Sequence, residues 1–191
     1  MFSSALHFLL TTILNALTMM FLLRFFMQLF KTSFYNPLGQ LVMTLTDFVV
    51  MPTRKFIPSW KKIDLSTLVL AVFTQFLLQI ILLWLSDFPL GVAGDSIWPS
   101  IFGLSVLGVI RTALDVFFYA ILLHVILSWV NPHSPISSVL ASLTRPLLAP
   151  IQRILPVANG IDFSPIFALI FIQMLNVSVI SSLEKSLRSI F

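Results

Sequence analysis

The sequence predicts an all-α membrane protein: a four-span helical bundle made of two parallel tandem repeats, with short amphipathic interfacial helices in the connectors. Three observations carry that prediction. The first is composition. Of 191 residues, 58% are hydrophobic and 9% are charged, and the mean hydropathy is +1.03. A soluble domain carries about 25% charged residues, so the solvent of this chain is the bilayer. The second is run length. Lipid leaves only helices or closed barrels, and apolar runs of about 20 residues without period-2 alternation select helices. The third is an ungapped internal repeat. Pro37, Pro52 and Pro58 recur as Pro135, Pro150 and Pro156, a shift of 98 positions. Ile63-Asp64, Ser66, Phe73 and Gln75 recur as Ile161-Asp162, Ser164, Phe171 and Gln173. The repeat units are residues 1–98 and 99–191.

Span 1 covers about Phe2 to Phe30, and its one formal charge, Arg24, lies close enough to the end to snorkel to the interface. The first segment lacks the cationic start and small-residue cleavage pattern of a signal peptide, so it reads as a retained span. A proline-punctuated connector follows from Lys31 to Asp64. Its Leu38, Leu41, Val42, Leu45, Phe48 and Val49 keep helical spacing, as do Ile136, Val139, Leu140, Leu143 and Leu147 in the second connector, Asn131 to Asp162. These stripes predict interfacial helices, broken by Pro52 and Pro150, which lack the amide donor. Span 2, Leu65–Leu85, carries no charge. A short loop, Ser86–Pro99, leads to span 3 within Ser100–Val130, with a membrane core at Thr112–Trp129. Ile97–Ile110 is too short for a span of its own and has no turn residues before Arg111, so one long helix is expected. Span 4 covers Phe163–Leu183.

Two spans per repeat put both repeats in one orientation, related by a pseudo-twofold along the membrane normal. Lys31, Arg54, Lys55, Lys61, Lys62, Arg145 and Arg153 lie in the connectors, and the central loop has no Lys or Arg. The positive-inside rule then places the connectors in the cytoplasm and the termini on the other side, although Lys185 and Arg188 oppose the trend. The same rule accounts for the net charge of +4, and no basic run with interleaved aromatics points to nucleic acid. With no cysteine, the chain can form no disulfide, thiolate zinc site, iron–sulfur cluster or covalently attached haem.

The repeat carries a resemblance. Asn36-Pro37-Leu38, Leu45-Thr46, Pro52-Thr53-Arg54-Lys55-Phe56-Ile57-Pro58 and Ile63-Asp64-Leu65-Ser66 resemble the repeat of the YggT (YlmG) family of small integral membrane proteins. Ser134-Pro135, Leu143-Thr144-Arg145-Pro146, Pro150-Ile151-Gln152-Arg153-Ile154-Leu155-Pro156 and Gly160-Ile161-Asp162-Phe163-Ser164-Pro165 resemble it more closely. The first copy departs from the second at Phe48, where the second has Pro146, and at Thr67, where it has Pro165. The resemblance implies a protein of the bacterial cytoplasmic membrane, without established catalytic residues. It also implies links to osmotic or ion tolerance, to placement of the division machinery or nucleoids, and to assembly of plastid cytochrome complexes.

Four groups of residues are candidate sites. Asp64 and Asp162 each precede a span: they either cap a helix or attract cations at a cytoplasmic mouth. Gln75, Gln79, Gln173 and Asn176 lie in mid-span: they either hold helices together, at about 0.6–2 kcal/mol per amide, or line a polar axis. Arg54, Lys55, Lys61, Lys62, Arg145 and Arg153 suit anionic headgroups. Arg111 and Asp115, four residues apart, suit an intrahelical pair, and His124 reads as a hydrogen-bonded packing residue. No nucleophile–base pair, phosphate-cradling glycine loop or metal-ligand spacing is present, so the expectation is a non-enzymatic protein without cofactors. Its expected partners are the lipid bilayer with its anionic headgroups and membrane proteins or a second copy, and no nucleic acid. Its expected role is osmotic or ion homeostasis, with a membrane scaffold or assembly factor as the alternative.

Overall fold

The structure, a computed structural model, describes residues 2–59, 63–86, 88, 94, 97–154 and 162–189. Helix α1 (Phe2–Leu29) leads to α2 (Pro37–Phe56) and α3 (Leu65–Leu85). Helix α4 (Ile97–Val130) leads to α5 (Pro135–Ile154) and α6 (Ser164–Met174). A π-helical turn, Leu175–Ile180, then joins α6 to α7 (Ser181–Arg188). Among the described residues, four helical stretches are long and apolar enough to cross a membrane: Ser4–Leu29, Leu65–Leu85, Ile97–Val130 and Ser164–Arg188. The third is one unbroken helix, as expected, and at 1.5 Å per residue its 34 residues reach about 51 Å, well beyond a hydrocarbon core of about 30 Å.

Local chemistry sets the helix ends. Lys31 closes α1 in the left-handed region at φ 54°. The Thr32 amide donates to Met27 O (2.8 Å) and the Lys31 amide to Gln28 O (3.1 Å), the paired bonds of a Schellman cap. Asn36 caps α2 by accepting the Gly39 amide at 2.8 Å, with Pro37 at the first helical position, where its missing donor costs nothing. Its repeat mate Ser134 accepts the Ile136 amide at 3.3 Å ahead of Pro135.

The prolines do not break the connector helices. Helix α2 runs on past Pro52, and α5 past Pro146 and Pro150. All three rings lie on exposed surface, where water or headgroups can satisfy the carbonyls they free. The apolar stripe of α2 is also divided. Val42 and Val50 are buried together with Gly39 and Thr46, whereas Leu41, Leu45 and Phe48 are exposed. The helix therefore turns one face to the bundle and another outward.

The two halves share one core. Phe21, Leu22 and Met27 of α1 meet Val42 and Val50 of α2, Ala71 of α3, Val116 of α4, and Val139 and Leu143 of α5. Close packing and interhelical polar contacts, rather than escape from water, hold such an interior together in lipid. Packing departs from the twofold in one place. Helix α3 packs on both α1 and α4, but its repeat mate α6 packs on α4 and, among the described residues, does not touch α1.

Candidate functional site

Between α1, α3, α4 and α7 lies a partly open cavity of about 420 Å³, in the half of the bundle nearer the N-terminus and α7. Its polar lining comprises Asn15 of α1, Gln75 and Gln79 of α3, Arg111 and Asp115 of α4, and Glu184 of α7, with Thr11, Thr112, Tyr119 and Arg188 at its edges.

Gln75 is the fixed point of this wall. It is 2% exposed, and its Nε2 donates to Asn15 Oδ1 at 2.9 Å and to Thr18 Oγ1 at 3.2 Å. Its carbonyl oxygen lies against Gly108 of α4, where a Cβ would stand only 2.5 Å away. A glycine is required there so that the carboxamide can reach the α4 backbone. The opposite wall depends on the π turn. Its extra residue advances the helix phase, which buries Asn176 and brings α7 back onto α4. The Ser181 hydroxyl donates to Asn176 O at 2.9 Å across this turn.

Arg111 and Asp115 therefore take their hydrogen-bond partners from other elements, not from the intrahelical pair the sequence suggests. Arg111 Nη1 donates to Glu184 Oε2 at 2.9 Å and Oε1 at 3.1 Å, and Asp115 accepts from Asn176 Nδ2 at 3.0 Å. Two arginines and two carboxylates line the cavity, so its formal charges balance. Such a site can bind a small polar solute, or an ion together with its counter-charge.

The four mid-span amides are not brought together. Gln75 and Gln79 line the cavity, Asn176 is buried behind Asp115, and Gln173 lies on the exposed outer face of α6. Gln75 faces the cavity and Gln173 the outer surface of α6, so the two do not line one axis in this structure. The aspartates differ too. Asp64 is fully buried, makes no side-chain cap on α3, and pairs with Arg54, which also donates to Gln28 Oε1 at 3.2 Å. Arg54 is thus held by protein groups and is no free headgroup contact. In the second repeat Gln152 takes the place of Arg54 and donates to Asp162 Oδ2 at 2.8 Å, while Asp162 Oδ1 accepts the Ser164 amide at 2.8 Å. Partial burial pushes the Asp162 carboxyl up, but the Ser164 hydroxyl and amide and Gln152 outweigh it and hold the group below the usual carboxylate range. Lys55, Arg145 and Arg153 are exposed, as headgroup contact requires. Lys61 and Lys62 fall outside the described residues.

Arg24 does not snorkel. It is 4% exposed, and its Nη1 donates to Thr46 Oγ1 at 2.6 Å and Asp47 Oδ1 at 2.7 Å. The connector helix answers its charge from within the protein. His124 Nδ1 is buried without a hydrogen bond, contrary to expectation. Sequence reading passed over Asn15, Thr18, Gly108 and Glu184. A signal existed for two of them: Asn15 interrupts an apolar run, and Glu184 is the only glutamate. Among the described residues, no cluster of three or more His, Asp or Glu could hold a metal.

The CCB3/YggT family profile matches residues 3–85 and again 103–183. The chain is 37% identical to the uncharacterized protein YggT of Escherichia coli (strain K12) over 185 residues, covering 96% of this chain and 93% of that protein. It is 37% identical to an uncharacterized protein of Pseudomonas aeruginosa over 183 residues, covering 95% and 91%. It is 34% identical to one of Haemophilus influenzae over 166 residues, covering 86% of each. No solved structure matches the chain.

Proposed function

The chain belongs to the CCB3/YggT family, and from that membership and the cavity at Gln75 we propose a non-enzymatic multi-pass protein of the bacterial cytoplasmic membrane that serves osmotic or ion homeostasis. One observation carries the reading: Arg111, Asp115 and Glu184 are gathered with three amides around a cavity between helices long and apolar enough to cross a membrane. Each such charge costs about 2.5–3.5 kcal/mol at the centre of a span, and ionisable groups held there mark ligand or ion paths by default. The balanced lining favours a solute that is neutral or zwitterionic, or an ion that travels with its counter-ion, over a lone ion. The Lys and Arg count supports connectors on the cytoplasmic side, which puts the cavity in the outer half of the bilayer.

The test uses purified protein in liposomes under an osmotic gradient, with uptake of zwitterionic osmolytes and of monovalent cations measured separately. Flux of either that Gln75→Leu abolishes supports the reading. No flux above empty liposomes, and osmotic tolerance in cells that Gln75→Leu leaves unchanged per folded protein, would remove it.

A second reading, a membrane scaffold or assembly factor for division-related or other membrane complexes, is favoured by the outward face of α2. Leu41, Leu45, Phe48, Met51 and Phe56 are all exposed there. Loss of function on making Leu45 and Phe48 polar, with the cavity intact, would select it.

A further inference from the structure

We propose that the protein pairs with a second copy of itself along the outward face of α6, with Gln173 bonded to Gln173 across the twofold axis. This is independent of whether the cavity binds a solute. Ile166, Ile170 and Gln173 of α6, with Phe163 at its cap, follow one another at steps of three and four residues, and all four are exposed. That spacing is the seam of a left-handed helix pair. Apolar side chains alone gain nothing from leaving lipid for one another, so the polar group decides what the seam does.

Gln173 is unusual among the exposed polar groups of the spans. Thr12, Ser178 and Ser182 each return their hydroxyl to a carbonyl four residues back on their own helix, Phe8, Met174 and Ser178 respectively. Among the described residues the Gln173 carboxamide has no hydrogen-bond partner, and its chain is too long to close that local ring. At mid-span it has no water to turn to. Its repeat mate Gln75 shows what the position is built for: there the carboxamide is enclosed by α1 and α4 and bonded to Asn15 and Thr18. The corresponding wedge in the second repeat is open, because α6 makes no contact with α1.

The occupant follows from the chemistry of the amide. A carboxamide carries both a donor and an acceptor, so it complements an identical copy of itself. A twofold axis along the membrane normal beside Gln173 lets each Nε2 donate to the other Oε1, and isologous contacts of this kind close a dimer. A single polar residue in an otherwise apolar seam also fixes its register.

The chain contains no cysteine, so single substitutions report cleanly. Ile170→Cys, oxidised in native membranes, should give a covalent dimer on a non-reducing gel. Val69→Cys, on the lipid face of α3, should stay monomeric. In the Ile170→Cys background Gln173→Leu should lower the dimer fraction by about three- to tenfold, the loss of one amide contact, and Gln173→Asn should retain more of it. Gln173 is exposed, so both variants keep the folded monomer, which unchanged monomer yield and melting will verify. The proposal falls if Ile170→Cys crosslinks no better than Val69→Cys, or if Gln173→Leu leaves dimers unchanged. It also falls if a photoreactive residue at position 170 captures a different protein or only lipid.

Discussion

Removing Asp47 should harm the bundle more than removing the arginine it serves. Arg24 is 4% exposed and depends on two acceptors from α2, Thr46 Oγ1 at 2.6 Å and Asp47 Oδ1 at 2.7 Å. Asp47→Ala leaves a buried guanidinium with one neutral partner. Stripping one partner from a fully buried ion pair costs about 3–5 kcal/mol, and a hydrogen bond to a charged group is worth about 1.5–3 kcal/mol. The Asp47 side chain is 38% exposed, which screens the pair, so about 2–3 kcal/mol is expected. Arg24→Met removes the charge that needs the partner, fills most of the space, and leaves Asp47 with access to water. It should cost about 1 kcal/mol. The double variant should be no worse than Arg24→Met alone, a coupling of about 2 kcal/mol. The second repeat lives without the clamp, with Leu122 and Arg145 at the equivalent positions. Unfolding of the four proteins in mixed micelles against increasing denaturing detergent measures the cycle. A neutral Asp47→Ala, or costs that add to within about 0.5 kcal/mol, would show that Arg24 finds its counter-charge elsewhere.

Other expectations follow from single sites. Gly108→Ala sets a Cβ 2.5 Å from Gln75 Oε1; the carboxamide must swing off Asn15 and Thr18, which should cost about 1–2 kcal/mol in the same unfolding assay. For Asp162 the folded-state pKa lies below the ordinary 3.8, so its contribution is present above that pH and is lost as pH falls through the lower folded value. Asp162→Asn should therefore be less stable than the parent at pH 7, with the gap closing below about pH 4; a gap independent of pH would refute the carboxylate account. Lys31 sits at φ 54°, and Lys31→Gly should gain up to about 1 kcal/mol in melting, the strain of a side chain in the left-handed region. Single cysteines test topology: at Lys55 one should resist an impermeant external thiol reagent in whole cells, whereas at Gly94, where a Cβ meets nothing within 4 Å, one should react.

By itself the sequence determined the fold class and the spans, although the breaks it placed at Pro52 and Pro150 do not occur. Run length and hydropathy specify spans because every residue meets the bilayer separately, so composition can be summed along the chain. Helix ends are local too: Asn36-Pro37 and Ser134-Pro135 announce themselves because a cap needs only its next few neighbours. One tertiary contact recurs in both repeats, Arg54 with Asp64 and Gln152 with Asp162, but along the sequence Arg54 reads as a headgroup contact and the aspartates as caps or a cation mouth. What only the tertiary structure decided was which way each helix is turned. Gln75 and Gln173 are identical in the repeat, yet one is walled in and the other faces outward, because α1 packs on α3 and not on α6. Arg24 looked like a snorkelling residue and Arg111 like half of an intrahelical pair, yet their partners lie 23 and 73 residues away. Such partners depend on helix rotation and on a π turn that advances the phase by one residue, and on packing energies summed over several helices. A pattern read along one helix at a time carries none of that information.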